Sequence, residues 1–139
     1  MPTLEVYLPA GHAPARKAQL IAGLTQATVD SIGAPAEAVR ILLSELPPHD
    51  FGVGGVSAMS DAGHAGDPGR VARRATLLSI VAILIAGRTP AQKTALIAAL
   101  SETGASVLDT PLDAARVMIK DIPNTDFGIG GQTAKSLGR

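Results

Sequence analysis

The chain has 139 residues, the size of one ordinary domain, and its twelve basic residues against twelve acidic ones leave no net charge. That balance excludes a long-range field for nucleic acid or an anionic membrane, so any anion site has to be local. The absence of cysteine excludes disulfides and thiolate chemistry, and aromatic residues, at 2%, are too few for base-stacking platforms.

Met1-Pro2-Thr3-Leu4-Glu5 has neither the basic start nor the apolar run of a secretory leader, so a cytoplasmic protein is expected. Thr3 to Leu8 alternates, with β-branched and aromatic members, and predicts a strand that Pro9-Ala10-Gly11 ends. Ala13-Pro14 opens a helix, since proline in the first turn lacks only an N–H that would have no partner there. Its Leu20, Ile21, Leu24, Thr28 and Ile32 fall on one side at helical spacing, and Gly33 stops it. After Pro35, residues 39–46 predict a second strand with Val39, Ile41 and Leu43 on one face and Arg40, Leu42 and Ser44 on the other. The glycines after Phe51 imply a bulge or tight hairpin. Residues 60–76, with Gly63, Gly66, Pro68, Gly69 and the basic Arg70, Arg73 and Arg74, read as an exposed linker. Leu77 to Ile85 is apolar over only half of the ~20 residues a membrane helix needs, and reads as a buried strand.

From there the chain repeats itself. Asp50-Phe51-Gly52-Val53-Gly54-Gly55 returns as Asp126-Phe127-Gly128-Ile129-Gly130-Gly131, an offset of 126 − 50 = 76. Without any gap, Arg40 meets Arg116, Pro14 meets Pro90, Lys17 meets Lys93 and Leu20-Ile21-Ala22 meets Leu96-Ile97-Ala98. Two units, 1–59 and 77–139, each too short to be comfortable alone, should share a core. Strand, crossover helix and strand make a right-handed βαβ unit. Two units give an α+β fold, a four-stranded sheet with both helices on one face. The opposite face carries apolar residues such as Leu42 and Met118, which argues for burial against neighbouring chains.

Pro2 after Met1, an arginine opening the second strand, a proline-started helix and a terminal Phe-Gly-[Val/Ile]-Gly-Gly together resemble the 4-oxalocrotonate tautomerase family. Both halves carry the resemblance, so the chain looks like a fused member in which one chain replaces two short subunits. The resemblance implies an N-terminal proline base, arginines that bind the substrate's carboxylate and carbonyl, and a homotrimer of fused chains. It implies a small-molecule carboxylate as substrate, with no cofactor, no nucleic acid and no membrane partner.

The chemistry is coherent by itself. Without Met1, Pro2 carries a secondary amine, and a chain-terminal amine titrates near ~7.7–8.0 before nearby cations or burial lower it. Such a base is suited to move a proton from one atom of an enol to another. Arginine supplies charge and a fork for a carboxylate. The halves differ where this matters: Pro2 falls opposite Leu78, which has no free amine, and His12 falls opposite Arg88. The resemblance places Arg88 of the second unit beside Pro2 of the first, giving one live site and one silent one. The strand arginine, Arg40 or Arg116, is expected from a neighbouring chain, and the sequence does not choose between them. Phe51 or Phe127 should wall the site. His12, His49 and His64 lack metal-site spacing, and the glycine runs lack the Lys-Ser/Thr of a phosphate cradle. Two alternatives stay open: a hydrolytic dehalogenase or hydratase, whose water-activating carboxylate would have to be Glu5, Glu45 or Asp50, and a non-catalytic trimer.

Overall fold

The computed structural model describes residues 1–59 and 77–139; the linker expected at 60–76, with His64, Arg70, Arg73 and Arg74, lies outside the described residues. Strand β1 (Thr3–Pro9) leads through helix α1 (Pro14–Ile32) to β2 (Arg40–Leu46) and a hairpin of β3 (Gly52–Val53) and β4 (Val56–Ser57). The second half repeats the order with β5 (Leu78–Ile85), α2 (Pro90–Leu108), β6 (Ala115–Ile122), β7 (Gly128–Ile129) and β8 (Gln132–Thr133).

Within each half the two long strands are parallel, as a crossover helix requires, and β1 joins β5 antiparallel to give the order β2-β1-β5-β6. Glu5 pairs with Val81, the residue 76 positions further on, so an approximate two-fold axis passes through that pair. Thr3 opposite Ile83 is accordingly matched by Tyr7 opposite Ser79.

The alternation read in the sequence decides which face is buried. Leu4, Val6 and Leu8 of β1 and Leu78, Ile80, Ala82 and Leu84 of β5 are sealed under Leu20 and Leu24 of α1 and Leu96 and Leu100 of α2, in one continuous cluster. Each such Leu, Ile or Val is worth about 1.5–3 kcal/mol on burial, so pooling them in one cluster supplies what neither half holds alone. The helices lie close together, because a Cβ added at Gly23 would stand 2.8 Å from Thr103 Cγ2. Ile21 departs from the expected stripe: it is 41% exposed, as is its counterpart Ile97. The buried arc of α1 turns instead through Ala27, toward the partner helix as well as the sheet.

The opposite face carries a row Leu42, Glu5, Val81, Met118 across the four strands, with Leu42 and Met118 about half exposed. Both hairpins turn on paired glycines in the left-handed region, Gly54-Gly55 at φ 62° and 77° and Gly130-Gly131 at 59° and 82°, which residues with a Cβ adopt at a cost. Lys17 with Glu45 and Lys93 with Asp121 tie each helix to the end of its second strand in the same way. Among the described residues no helix is long and apolar enough to cross a membrane, and no group of three His, Asp or Glu is placed to hold a metal ion.

Candidate active site

The antiparallel join of β1 and β5 sets the geometry at residue 2. Thr3 lies opposite Ile83, so the chain before Thr3 runs toward the end of β5, where Ala86-Gly87-Arg88 leaves the sheet. Arg88 thus reaches the start of the first half from the second. With Met1, Ile85, Gly87, Gln92 and Arg139 it lines a cavity of about 520 Å³.

Arg88 is held from two directions. Its guanidinium donates to the Ile32 carbonyl in the last turn of α1, where the free carbonyls and the helix dipole favour a cation. The next residue, Thr89, caps α2: its hydroxyl accepts from the Gln92 N–H at 3.2 Å while Gln92 Oε1 accepts from the Thr89 N–H at 3.0 Å. The equivalent helix start in the first half, Ala13, has no side-chain cap. The arginine therefore stands on a braced turn and His12 on an unbraced one.

A second cavity, about 240 Å³, lies on the other side of Met1 and is lined by Thr3, Ala38, Arg40, Phe127 and Ile129. Parallel pairing sets Arg40 beside Thr3, and the Arg40 N–H donates to the Pro2 carbonyl at 2.9 Å. The Arg40 guanidinium folds back to donate to the Glu37 carbonyl at 2.7 Å, and the side chain remains exposed. Pro2 itself is fully buried.

The chain thus gathers Pro2, Arg88, Arg40 and Phe127 at one end of the sheet, and leaves Arg116 and Phe51 at the other. Arg116 lies beside Ser79, with its guanidinium donating to the Asp113 carbonyl at 2.6 Å. Phe51 lines a cavity of about 400 Å³ with His49, Asp50 and Ser57 of its own hairpin. Leu78, the counterpart of Pro2, is wholly buried against α2, where a Cβ on Gly104 would come within 2.6 Å of Leu78 Cδ2. Gly104 is the counterpart of Thr28. The larger side chain on the strand is matched by the smaller on the helix, and the second half's position is core.

The chain-terminal amine here is that of Met1. Burial, then the Arg88 guanidinium, then that of Arg139, hold it below the usual 8.0. Arg139 and Gln92 are additions to the residues expected from sequence. Gln92 was legible as the fourth residue of Thr89-x-x-Gln92, but Arg139 has no motif and is brought in only by folding. The three carboxylates considered for water activation are engaged elsewhere: Glu5 accepts from Tyr7 Oη at 3.5 Å, Glu45 pairs with Lys17 at 3.0 Å, and Asp50 faces His49 at 3.7 Å.

Comparison with known proteins places these features in context. The family model described as "Tautomerase enzyme" matches residues 2–59 and again 81–136. A 2-hydroxymuconate tautomerase of Stutzerimonas stutzeri is 45% identical over 56 residues, 40% of this chain and 89% of that protein. A crystal structure of a native fused 4-OT is 68% identical with a TM-score of 0.84, covering 99% of both chains. A second fused 4-OT, described as an asymmetric trimer, is 66% identical, with the same TM-score and coverage.

Proposed function

The chain belongs to the tautomerase enzyme family, and from that premise we propose that it is a cofactor-independent tautomerase acting on a small unsaturated 2-hydroxy or 2-oxo carboxylate. Pro2, freed by removal of Met1, is the general base. Its nitrogen takes the proton of the enol hydroxyl, the electron pair moves along the conjugated carbons as the carbonyl forms, and the protonated nitrogen returns the proton to carbon. Arg88 binds and polarises the oxygen on which charge develops, and a strand arginine of a neighbouring chain, Arg40 or Arg116, holds the carboxylate through its planar fork. Phe127 forms the apolar wall that keeps the conjugated carbons against the base. A base with its pKa brought down toward neutrality is free to accept a proton without first losing one.

The observation that carries this reading is that Arg88, from the second half, lines a cavity with Met1, next to the buried Pro2 of the first. We also propose that the chain assembles as a homotrimer of two-unit chains, with units 1–59 and 77–139. The half-exposed Leu42 and Met118 on the helix-free face of the sheet support that assembly. The engagement of Glu5, Glu45 and Asp50 away from Pro2 favours proton transfer over hydration.

The test is an ultraviolet assay with 2-hydroxymuconate on protein whose intact mass establishes loss of Met1. Turnover that is abolished by Pro2→Ala supports the reading. Retained methionine, or turnover indifferent to Pro2→Ala, defeats it.

A further inference from the structure

The carboxamide of Gln92 has two ends, and the capping box at the start of α2 uses only one. Its Oε1 accepts the Thr89 N–H at 3.0 Å and also the Thr89 hydroxyl at 3.4 Å. A main-chain N–H can only donate, so the amide cannot be turned end for end without losing that bond, and Nε2 is the end left over. Its two N–H donors are unpaired among the described residues and are not sealed in the core.

Gln92 is half-buried and lines the cavity of about 520 Å³ with Met1, Ile85, Gly87 and Arg88. Among the described residues it is the one uncharged polar side chain in that lining, and no aspartate or glutamate is there to take up its donors. The first half has no equivalent: Thr89 is matched by Ala13, and Gln92 by Arg16, which is exposed. The differences between the halves at Arg88, Thr89 and Gln92 therefore fall together on one turn. The side chain that braces this turn also borders the cavity.

An oxygen on which negative charge develops accepts more than one hydrogen bond, and a donor fixed beforehand need not reorganise as the charge appears. Arg88 supplies a charged donor. A carboxamide adds a second donor without adding charge, so it leaves the basicity of the terminal amine where the guanidinium has set it. We infer that Gln92 is a further catalytic residue, whose Nε2 N–H donates to the substrate oxygen that Arg88 polarises while its Oε1 holds the turn that carries Arg88. The inference rests on the site proposed above and adds a donor to it.

Kinetics of the Met1-free protein with 2-hydroxymuconate separate the two ends of the amide. Thr89→Ala removes the cap and keeps Nε2, whereas Gln92→Ala removes both. Similar losses of stability are expected from the two, with kcat lowered about threefold in Thr89→Ala and about 10²-fold in Gln92→Ala, the range for loss of one oxyanion donor. The acid limb of the kcat/KM profile should stay in place in Gln92→Ala. A Gln92→Ala variant no slower than Thr89→Ala, or one whose acid limb moves as loss of a cation would move it, makes Gln92 a brace alone and overturns the inference.

A second readout needs no turnover. The glutamines are Gln19, Gln26, Gln92 and Gln132, so the side-chain amide signal of Gln92 in a ¹⁵N–¹H spectrum is identified by its loss in Gln92→Ala. Titration with oxalate, a planar mimic of the enolate of a 2-oxo acid, should shift that signal and leave the other three unmoved. Such a shift in a protein without tautomerase turnover keeps Gln92 as a ligand donor and discards the catalytic reading. A Gln92 signal indifferent to oxalate overturns the inference whether or not turnover is seen.

Discussion

The two ends of the central β1–β5 pair are built from equivalent residues and have opposite characters. At one end Pro2, Arg88, Arg40 and Phe127 surround the start of β1; at the other Leu78, His12, Arg116 and Phe51 occupy the matching positions. At the first end the strand begins at residue 3 and is flanked by cavities. At the second end Leu78 lies inside the chain and fills a gap left by Gly104. The two copies thus differ in structure: one sets Pro2 beside cavities, and the other turns the same position into core and sets an arginine where the first has His12. The capping box at Thr89 and Gln92 supports that arginine, and nothing equivalent supports His12.

This comparison can be broken most decisively at residue 2. Pro2→Ala should lower kcat/KM by about 10²-fold or more, in the range expected for loss of a positioned base. Leu78→Ala, in contrast, should cost about 2–5 kcal/mol of stability in chemical denaturation, with activity per folded molecule retained. An equal loss of turnover from both would mean that the ends are not distinct.

Arg88→Ala should lower kcat/KM by about 10²-fold, as for removal of one donor at a developing oxyanion, whereas His12→Ala should stay within about threefold. Arg88 also acts on pH dependence. A cation beside an amine disfavours the ammonium form and depresses its pKa, so removing Arg88 lets the pKa rise. The acid limb of the kcat/KM profile, which reports protonation of the free base, should then move to higher pH in Arg88→Ala and stay in place in His12→Ala. The same sign holds for stability. An amine with a depressed folded pKa favours the folded state above its unfolded value near 8.0, and that contribution falls away as pH drops through the lowered one.

A smaller difference is expected between the strand arginines. Arg40→Ala should raise KM by about tenfold, the cost of one charge-assisted carboxylate contact, and Arg116→Ala should change it less. Smallest is the capping asymmetry: Thr89→Ala should cost about 1 kcal/mol by thermal or chemical unfolding, while Ala13→Ser should recover part of that amount in the first helix.

Most of the scaffold was legible because the same period of two recurs in Thr3–Leu8 and Leu78–Ile85, and because proline and glycine mark both helices at matching positions. The exposure of Ile21 was not, since a helix shared between a sheet and a second helix buries an arc that periodicity does not orient. The repeat showed that Leu78 replaces Pro2 and Arg88 replaces His12, and the expectation of Arg88 beside Pro2 came from the family resemblance. Arg40 stands near Pro2 within one chain because the parallel β1–β2 register sets it opposite Thr3, a register that the repeat does not show. Arg139 was beyond sequence reading for a similar reason: a lone arginine gains meaning only when Asn124 and Ala134 fold its segment back over Met1.

The most direct test of a terminal imino base tuned by the opposite half is a nitrogen NMR titration of protein labelled with ¹⁵N-proline. Of the ten prolines only residue 2 can carry a titrating nitrogen, and only once Met1 is gone. One titrating resonance is expected, with a midpoint below the ~8 of an ordinary chain-terminal amine, rising in Arg88→Ala and unmoved in His12→Ala. No titrating resonance, or a midpoint indifferent to Arg88, would contradict it.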